Sequence, residues 1–114
     1  MDYKVLNQLN TGLKRIGGQI TASTDAQTIP TQKDVEIGAI TLPEGFWIIH
    51  VSVWYGVYNR TLGINGFSIL NDDHKPELIA FYNGPGARLP LTAHSWVPED
   101  IEIGPGSIDA FRIG

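Results

Sequence analysis

The segment from Phe46 to Tyr58 constrains the fold of this chain more than any other part of the sequence. Every second residue in it is apolar, in the set Trp47, Ile49, Val51, Val53, Tyr55 and Val57. Because successive side chains of a β-strand point to opposite faces, this alternation predicts a long strand with that set in the core. The opposite set is aromatic near its ends and has His50 and Ser52 in the middle. Such a mixed face is typical of a strand that meets water or a neighbouring subunit.

The rest of the chain reads as shorter strands separated by turn residues. It has 13 Gly and 7 Pro in 114 residues, and only 18% of its residues are charged, where about a quarter is usual. Pro43-Glu44-Gly45 has the composition of a tight turn. Besides the long strand, apolar runs predict strands over 35–42, 66–70, 78–82, 88–97, 101–103 and 107–113. Six to eight short strands at spacings of about ten residues favour an all-β sandwich.

The N-terminal segment has a different pattern. Its apolar residues follow the 3-4 spacing of a short coiled-coil seam, in the set Leu6, Leu9, Leu13, Ile16 and Ile20. Two heptads are too short to be stable alone, so the segment is either the stub of an oligomeric stem, a helical turn lying on the domain, or a frayed terminus. We predict a helical stem segment over 1–20, a linker or extended edge strand over 21–34, and a β-sandwich head over 35–114.

Charge and composition exclude several classes of function. The net charge is −4 and the basic residues are scattered, so neither a nucleic-acid footprint nor a membrane-surface patch is predicted. No apolar run approaches the roughly 20 residues that a membrane-spanning helix needs, and no signal peptide is visible. The chain has no cysteine, which excludes disulfides and Cys-based zinc sites. If the protein acts outside a cell, we expect it to leave by lysis or within a particle.

Catalytic and metal-binding motifs are missing from the sequence. His50, His74 and His94 lack the spacing of a metal motif, and no serine lies in a Gly-x-Ser-x-Gly sequence. Asn71-Asp72-Asp73 has oxygen ligands that suit calcium, but it lacks the glycine and glutamate positions of an EF-hand loop. We therefore predict a non-enzymatic protein with no cofactor and no metal.

Aromatic residues offer the better functional hypothesis. Trp54 and Tyr58 share the mixed face of the long strand, and Asn59 and Arg60 follow them; Trp96 is a second candidate. Exposed aromatic rings stack on the apolar face of sugars, while amide and guanidinium groups bind sugar hydroxyls. The same residue types are enriched at subunit interfaces. These residues are therefore candidates for a ligand rim or for an interface, and the interface interpretation of Trp54 and Tyr58 is favoured.

Two motifs carry a resemblance to a known family. The segment Ile40 to Trp47 reads ITLPEGFW and resembles the "ITLPAGTW" entry strand of compact jelly-roll domains in bacteriophage tail fibre and baseplate proteins. The segment Gly106 to Ile113 reads GSIDAFRI and is similar to the "GYIRAVRI" C-terminal strand of the same domains. The resemblance spans Val35 to Ile113.

The resemblance implies a fold, an assembly and a function. Domains of this family have the topology of C1q and tumour-necrosis-factor heads, form trimers, often on a helical stem, and serve in receptor binding or fibre assembly. We accordingly expect a jelly-roll-like homotrimer in a phage or prophage tail, made in the bacterial cytoplasm, that contacts a cell-surface saccharide or other tail proteins. Receptor contacts in these domains lie in variable loops, so no site residue is carried over. The alternative is a stand-alone, lectin-like carbohydrate-binding module.

Overall fold

The computed structural model describes residues 18–55, 60–71 and 77–114. Almost all of the predicted stem segment, 1–20, lies outside these residues; its last two residues, Gln19 and Ile20, belong to a strand. The described residues form the strands β1 (Gln19–Thr24), β2 (Gln27–Ile29), β3 (Asp34–Leu42), β4 (Gly45–Tyr55), β5 (Arg60–Ile64), β6 (Phe67–Asn71), β7 (Glu77–Gly84), β8 (Ala87–Ser95) and β9 (Ile101–Arg112).

The strands form two antiparallel sheets that pack as a sandwich. The first sheet has the order β1-β9-β4-β7, with β2 paired to the start of β9, and the second has the order β3-β8-β5-β6. The predicted all-β sandwich is thus what the described part of the chain forms. The sequence left open whether 21–34 is a linker or an edge strand. The end of β1 and all of β2 lie in this range, and they pair with β9 along an edge of the first sheet.

The core lies between the two sheets, and the alternation in β4 was read correctly. Trp47, Ile49, Val51 and Val53 are all buried, whereas the alternate residues are half-buried or exposed. Burying one such side chain stabilises a fold by about 1.5–3 kcal/mol. The indole Nε1 of Trp47 donates a hydrogen bond of 3.0 Å to the carbonyl of Pro43, so its one polar group is satisfied. This bond ties the Pro-Glu-Gly turn to the strand that it precedes.

A β-bulge explains why the alternation in β3 is only partial. The pairing of β3 with β8 shifts register between Glu36 and Gly38, which inserts Ile37 as an extra residue. A bulge of this kind reverses which positions face inward. The odd-numbered Val35 packs against the core before the bulge, Ile37 is buried within it, and the even-numbered Ile40 and Leu42 are buried after it.

One hairpin was not predicted. β5 and β6 are joined at Asn65-Gly66, which have φ angles of 50° and 79°. Two consecutive positive φ angles define the type I′ hairpin turn, for which Asn-Gly is the preferred sequence. The Asn-Gly dipeptide between apolar residues is the sequence signal for this hairpin.

β9 is longer than expected. The sequence predicted a break at Gly104-Pro105-Gly106, but a single strand runs from Ile101 to Arg112, with a cis peptide bond between Gly104 and Pro105. Its first part pairs with β2 and its second part with β1. The break in the sequence pattern therefore marks the point at which β9 changes its neighbour.

Candidate functional site

The point at which β9 changes its neighbour builds a groove on the outer face of the first sheet. The ladder between β4 and β9 passes from the pair Val53–Gly106 to the pair Tyr55–Ile103, so Trp54 lies opposite the irregular Gly104–Pro105 step. Gly104 has a φ of +90°, and a Cβ there would lie 2.5 Å from the carbonyl oxygen of Asp25. Only glycine fits this position, because both its backbone conformation and the neighbouring chain exclude a side chain.

The groove has a volume of about 320 Å³. Seven residues line it: Ala26, Gln27, Thr28, Trp54, Glu102, Gly104 and Pro105. Thr28 and Glu102 are directly paired between β2 and β9, and both are exposed. The Nε2 of Gln27 donates a hydrogen bond of 2.9 Å to the carbonyl of Ile37, which fixes its side chain at the groove.

These lining residues combine an aromatic platform with polar groups. Trp54 is 55% exposed, and no hydrogen bond or ring contact holds its indole among the described residues. Glu102 and Thr28 supply a carboxylate and a hydroxyl beside it. An aromatic face with a few hydrogen-bonding groups is the usual composition of a site for a small polar ligand with an apolar face, such as a sugar.

The other members of the predicted rim do not join Trp54. Tyr58 and Asn59 lie outside the described residues. Arg60 begins β5 in the second sheet and is fully buried between the sheets, with 0% exposure. The sequence predicted Arg60 on the surface beside Trp54. It is instead buried, because the alternation of β5 turns its side chain inward with Leu62 and Ile64.

Trp96 occupies a different surface. It follows β8 in the second sheet, and its Nε1 donates a hydrogen bond of 2.8 Å to Oγ1 of Thr61. Its ring lies 4.2 Å from the ring of His94, and Nδ1 of His94 lies 2.9 Å from a carboxylate oxygen of Asp34. Trp96 is as exposed as Trp54, but its neighbours fix its orientation. The structure thus does not bring the two tryptophan candidates together.

A second feature is a cluster that we call the aromatic edge, formed by Phe46, Ile48, Ile79 and Phe81 on the outer face of the first sheet and by Phe67 of β6 in the second sheet. Phe81 lies at its centre, directly across from Ile48 in the ladder between β4 and β7. Its ring makes edge contacts with Phe46 at 6.5 Å and with Phe67 at 5.8 Å between centroids. This cluster and Trp54 lie toward opposite ends of β4.

Of the three histidines, His50 and His94 lie in the described residues. His50 lies on the outer face of β4, 3.9 Å from Glu77. Within residues 18–55, 60–71 and 77–114, no group of three or more His, Asp or Glu side chains could hold a metal ion. The carboxylates of the calcium hypothesis and His74 lie outside these ranges. No helix in the described part of the chain has the length and apolar character needed to cross a membrane.

Sequence reasoning missed most of the groove. Gln27, Thr28 and Glu102 are unremarkable in sequence, and they meet Trp54 only through the pairing of β2 with β9. The Gly104-Pro105-Gly106 sequence was the available signal, because a glycine-rich interruption of an apolar strand often marks a bulge or a close backbone approach. No protein-family model, curated protein or solved structure matches the chain.

Proposed function

We propose that this chain is a non-enzymatic, jelly-roll head of a phage or prophage tail protein, and that it binds a bacterial surface saccharide in the groove beside Trp54. In this proposal the chain forms a homotrimer on its N-terminal segment. Three weak saccharide sites on one rigid assembly reach the same cell surface together, so a high effective concentration multiplies their affinities.

The strand order supports the jelly-roll part of the proposal. A jelly roll has eight main strands in two sheets, connected as two Greek keys, so that chain neighbours alternate between sheets. The paths β1-β9-β4-β7 and β3-β8-β5-β6 divide eight strands in this way, except that β5 and β6 form a hairpin within the second sheet, and β2 is an addition beside β9. The same arrangement is implied by the resemblance of the ITLPEGFW and GSIDAFRI segments to phage tail domains.

The observation that carries the saccharide proposal is the exposed indole of Trp54 at the mouth of the groove. A tryptophan that is 55% exposed costs solvation free energy that a ligand or partner would recover. Its polar neighbours Thr28 and Glu102 favour a hydroxylated ligand over a purely apolar one.

The test is a Trp54→Ala chain assayed on bacterial surface polysaccharides and glycan arrays. Removal of a central aromatic contact costs about 2 kcal/mol, so we expect binding to weaken by roughly 30-fold. The assembly mass, measured by light scattering on a size-exclusion column, should not change. A fall in mass instead would assign Trp54 to a subunit interface and contradict the ligand proposal.

Trp96→Ala is the matched control, because it removes a tryptophan of similar exposure from the other sheet. We expect it to leave saccharide binding within about twofold of wild type. Loss of binding in this chain alone would move the site to the surface of Trp96 and His94.

The alternative function is a stand-alone carbohydrate-binding module, which the same groove would serve. The two functions differ in assembly. A wild-type mass of three chains supports the tail-head proposal, whereas a mass near 12.5 kDa with retained saccharide binding supports the stand-alone module.

A further inference from the structure

The aromatic edge lies on a side of the sandwich that is open in a single chain. β7 ends the first sheet and β6 ends the second, and the two strands lie beside each other across the sandwich. Ile79 is 49% exposed and Phe81 is 41% exposed, and Phe67 is exposed to a similar degree. Large apolar side chains from both sheets are thus grouped where neither sheet has a further strand among the described residues.

The edge strands on this side lack the usual protection against association. Natural edge strands carry Lys or Pro, are very short, or contain a bulge that disfavours pairing with another chain. β7 has eight residues, ELIAFYNG, with no Lys, Arg or Pro and no register shift against β4. β6, FSILN, has no charged residue. A regular edge without a basic residue, on which the exposed side chains are large and apolar, is expected to be covered by protein.

The size of the aromatic edge suits the centre of a subunit interface. If a side chain of this size offers roughly 150–250 Å² when free, then Phe67, Ile79 and Phe81 leave about 250 Å² of apolar surface. A stable interface buries about 800 Å² on each partner, and its apolar centre is surrounded by a polar rim. Here His50, Glu77 and Asn83 border the cluster on β4 and β7.

The mode of docking is restricted by Asn65. Its Nδ2 donates a hydrogen bond of 2.6 Å to the carbonyl of Phe81, at the centre of the aromatic edge. The Asn65 side chain thus lies at the position where an added strand would pair with Phe81. A partner on this side would therefore pack its side chains on the cluster rather than extend the first sheet at Phe81.

The position at which the chain enters the fold indicates what the partner is. The carbonyl of Gly18 accepts a hydrogen bond from the backbone of Arg112, and Ile113 donates one to the carbonyl of Phe46. Gly18, the first described residue, therefore lies at the end of the first sheet where Phe46 and Ile48 lie. A stem formed from the 3-4 apolar seam of the N-terminal segment would bring together this same end of each copy.

We infer that the aromatic edge is the surface on which a second copy of this chain packs. The inference rests on the proposed self-assembly, but it is independent of the saccharide groove. It assigns the contact to the side formed by β6 and β7, with Ile79 and Phe81 buried in the assembly.

The first test uses the absence of cysteine, which allows a single thiol to be placed at will. Ile79→Cys and Thr41→Cys are prepared in the full chain; Thr41 is exposed and lies on β3, the edge strand at the opposite side of the sandwich. In the assembly we expect the thiol at position 79 to react with a maleimide reagent at least tenfold more slowly than the thiol at 41. Equal rates in an assembled protein would overturn the inference.

The second test perturbs the surface. Ile79→Lys should raise the dissociation constant of the assembly at least tenfold and shift its mass toward 12.5 kDa, while Thr41→Lys on the opposite side should leave the mass unchanged. Circular dichroism confirms that both chains fold; if Ile79→Lys fails to fold, the thiol rates decide. A folded Ile79→Lys chain with the wild-type mass would contradict the inferred surface.

Two further outcomes separate this inference from the proposed function. A single-chain mass in the wild type, with a protected thiol that becomes reactive when residues 1–17 are deleted, would mean that the chain's own N-terminal segment covers the cluster and would overturn the inference. Retained saccharide binding in that experiment would leave the groove proposal standing. Loss of saccharide binding in Trp54→Ala, with slow reaction at position 79, would support both.

Discussion

The two open sides of the sandwich are built in opposite ways. On one side β1 and β3 lie against each other across the sheets, and on the other side β6 and β7 do so. The outward residues of β1 are Gln19, Thr21 and Ser23, and β3 contains a bulge and the Glu36–Arg88 ion pair. β7 and β6 instead present Ile79, Phe81 and Phe67 without a basic residue.

This difference indicates which side faces solvent. Polar side chains, a bulge and an ion pair make the side formed by β1 and β3 a poor template for another chain. It is also closed by tight packing, since a Cβ on Gly38 would lie 2.7 Å from the Cγ2 of Thr24. The side formed by β6 and β7 has neither these polar and irregular features nor this tight packing, as is expected of a surface that a partner covers.

The largest expected effect tests the tight packing of the side formed by β1 and β3. Gly38→Ala would place a methyl group against the buried Thr24, and overpacking of this kind costs about 1–3 kcal/mol. We expect the free energy of unfolding, measured by urea denaturation, to fall by that amount. The assembly mass should not change, because this side is not the inferred interface.

Thr24→Ser provides the control for this prediction, because it removes the Cγ2 methyl that the new Cβ would meet. In a double-mutant cycle, the cost of Gly38→Ala should be smaller in the Thr24→Ser background than in wild type. Additive costs would show that β1 and β3 do not constrain each other here. A change of mass in Gly38→Ala would place the interface on this side instead.

At the turn beside the aromatic edge, a smaller effect is expected for Asn65→Gly. Asn65→Gly removes the hydrogen bond to Phe81 but tolerates the positive φ of 50°, and should cost about 1 kcal/mol. Asn65→Ala removes the bond and also disfavours that φ, which adds about 1–2 kcal/mol. Urea denaturation of the two variants separates the cost of the lost hydrogen bond from the cost of the unfavourable φ angle. Equal costs would mean that the side-chain bond to β7 accounts for the whole effect.

The strand β4 shows what could be predicted from the sequence. Strict alternation placed Trp47, Ile49, Val51 and Val53 in the core correctly, because burial between sheets leaves a direct trace at period two. The bulge in β3 and the change of neighbour in β9 leave weaker traces, since they depend on pairing between distant segments. For this reason the sequence identified Trp54 as a candidate but could not provide Gln27, Thr28 or Glu102 as its neighbours.

The buried position of Arg60 has the same origin. A guanidinium next to an Asn reads as a surface loop by composition, yet the pairing of β5 with both β6 and β8 makes its position an inward one. Local residue types predict exposure well only where the strand itself has been recognised. The sequence therefore predicted Trp54, the aromatic centre of the candidate site, but not the polar residues around it.

The smallest expected effect concerns the ion pair on β3. Both guanidinium nitrogens of Arg88 donate to the carboxylate of Glu36, at 2.9 and 2.8 Å. These hydrogen bonds, together with the positive charge of Arg88, hold the pKa of Glu36 below its ordinary value of 4.5. Because the folded-state pKa is the lower one, the pair stabilises the fold above pH 4.5, and that contribution is lost as the pH falls through the folded-state pKa.

The measurement is the pH dependence of the free energy of unfolding in wild type and in Glu36→Gln. Both groups are exposed to solvent, so the difference between the two chains should be small and should shrink further in high salt. If the two chains lose stability identically on acidification, the pair contributes nothing to folding. The pair would then serve only to keep charged side chains on an edge strand. β6 has no charged residue, and β7 has only Glu77.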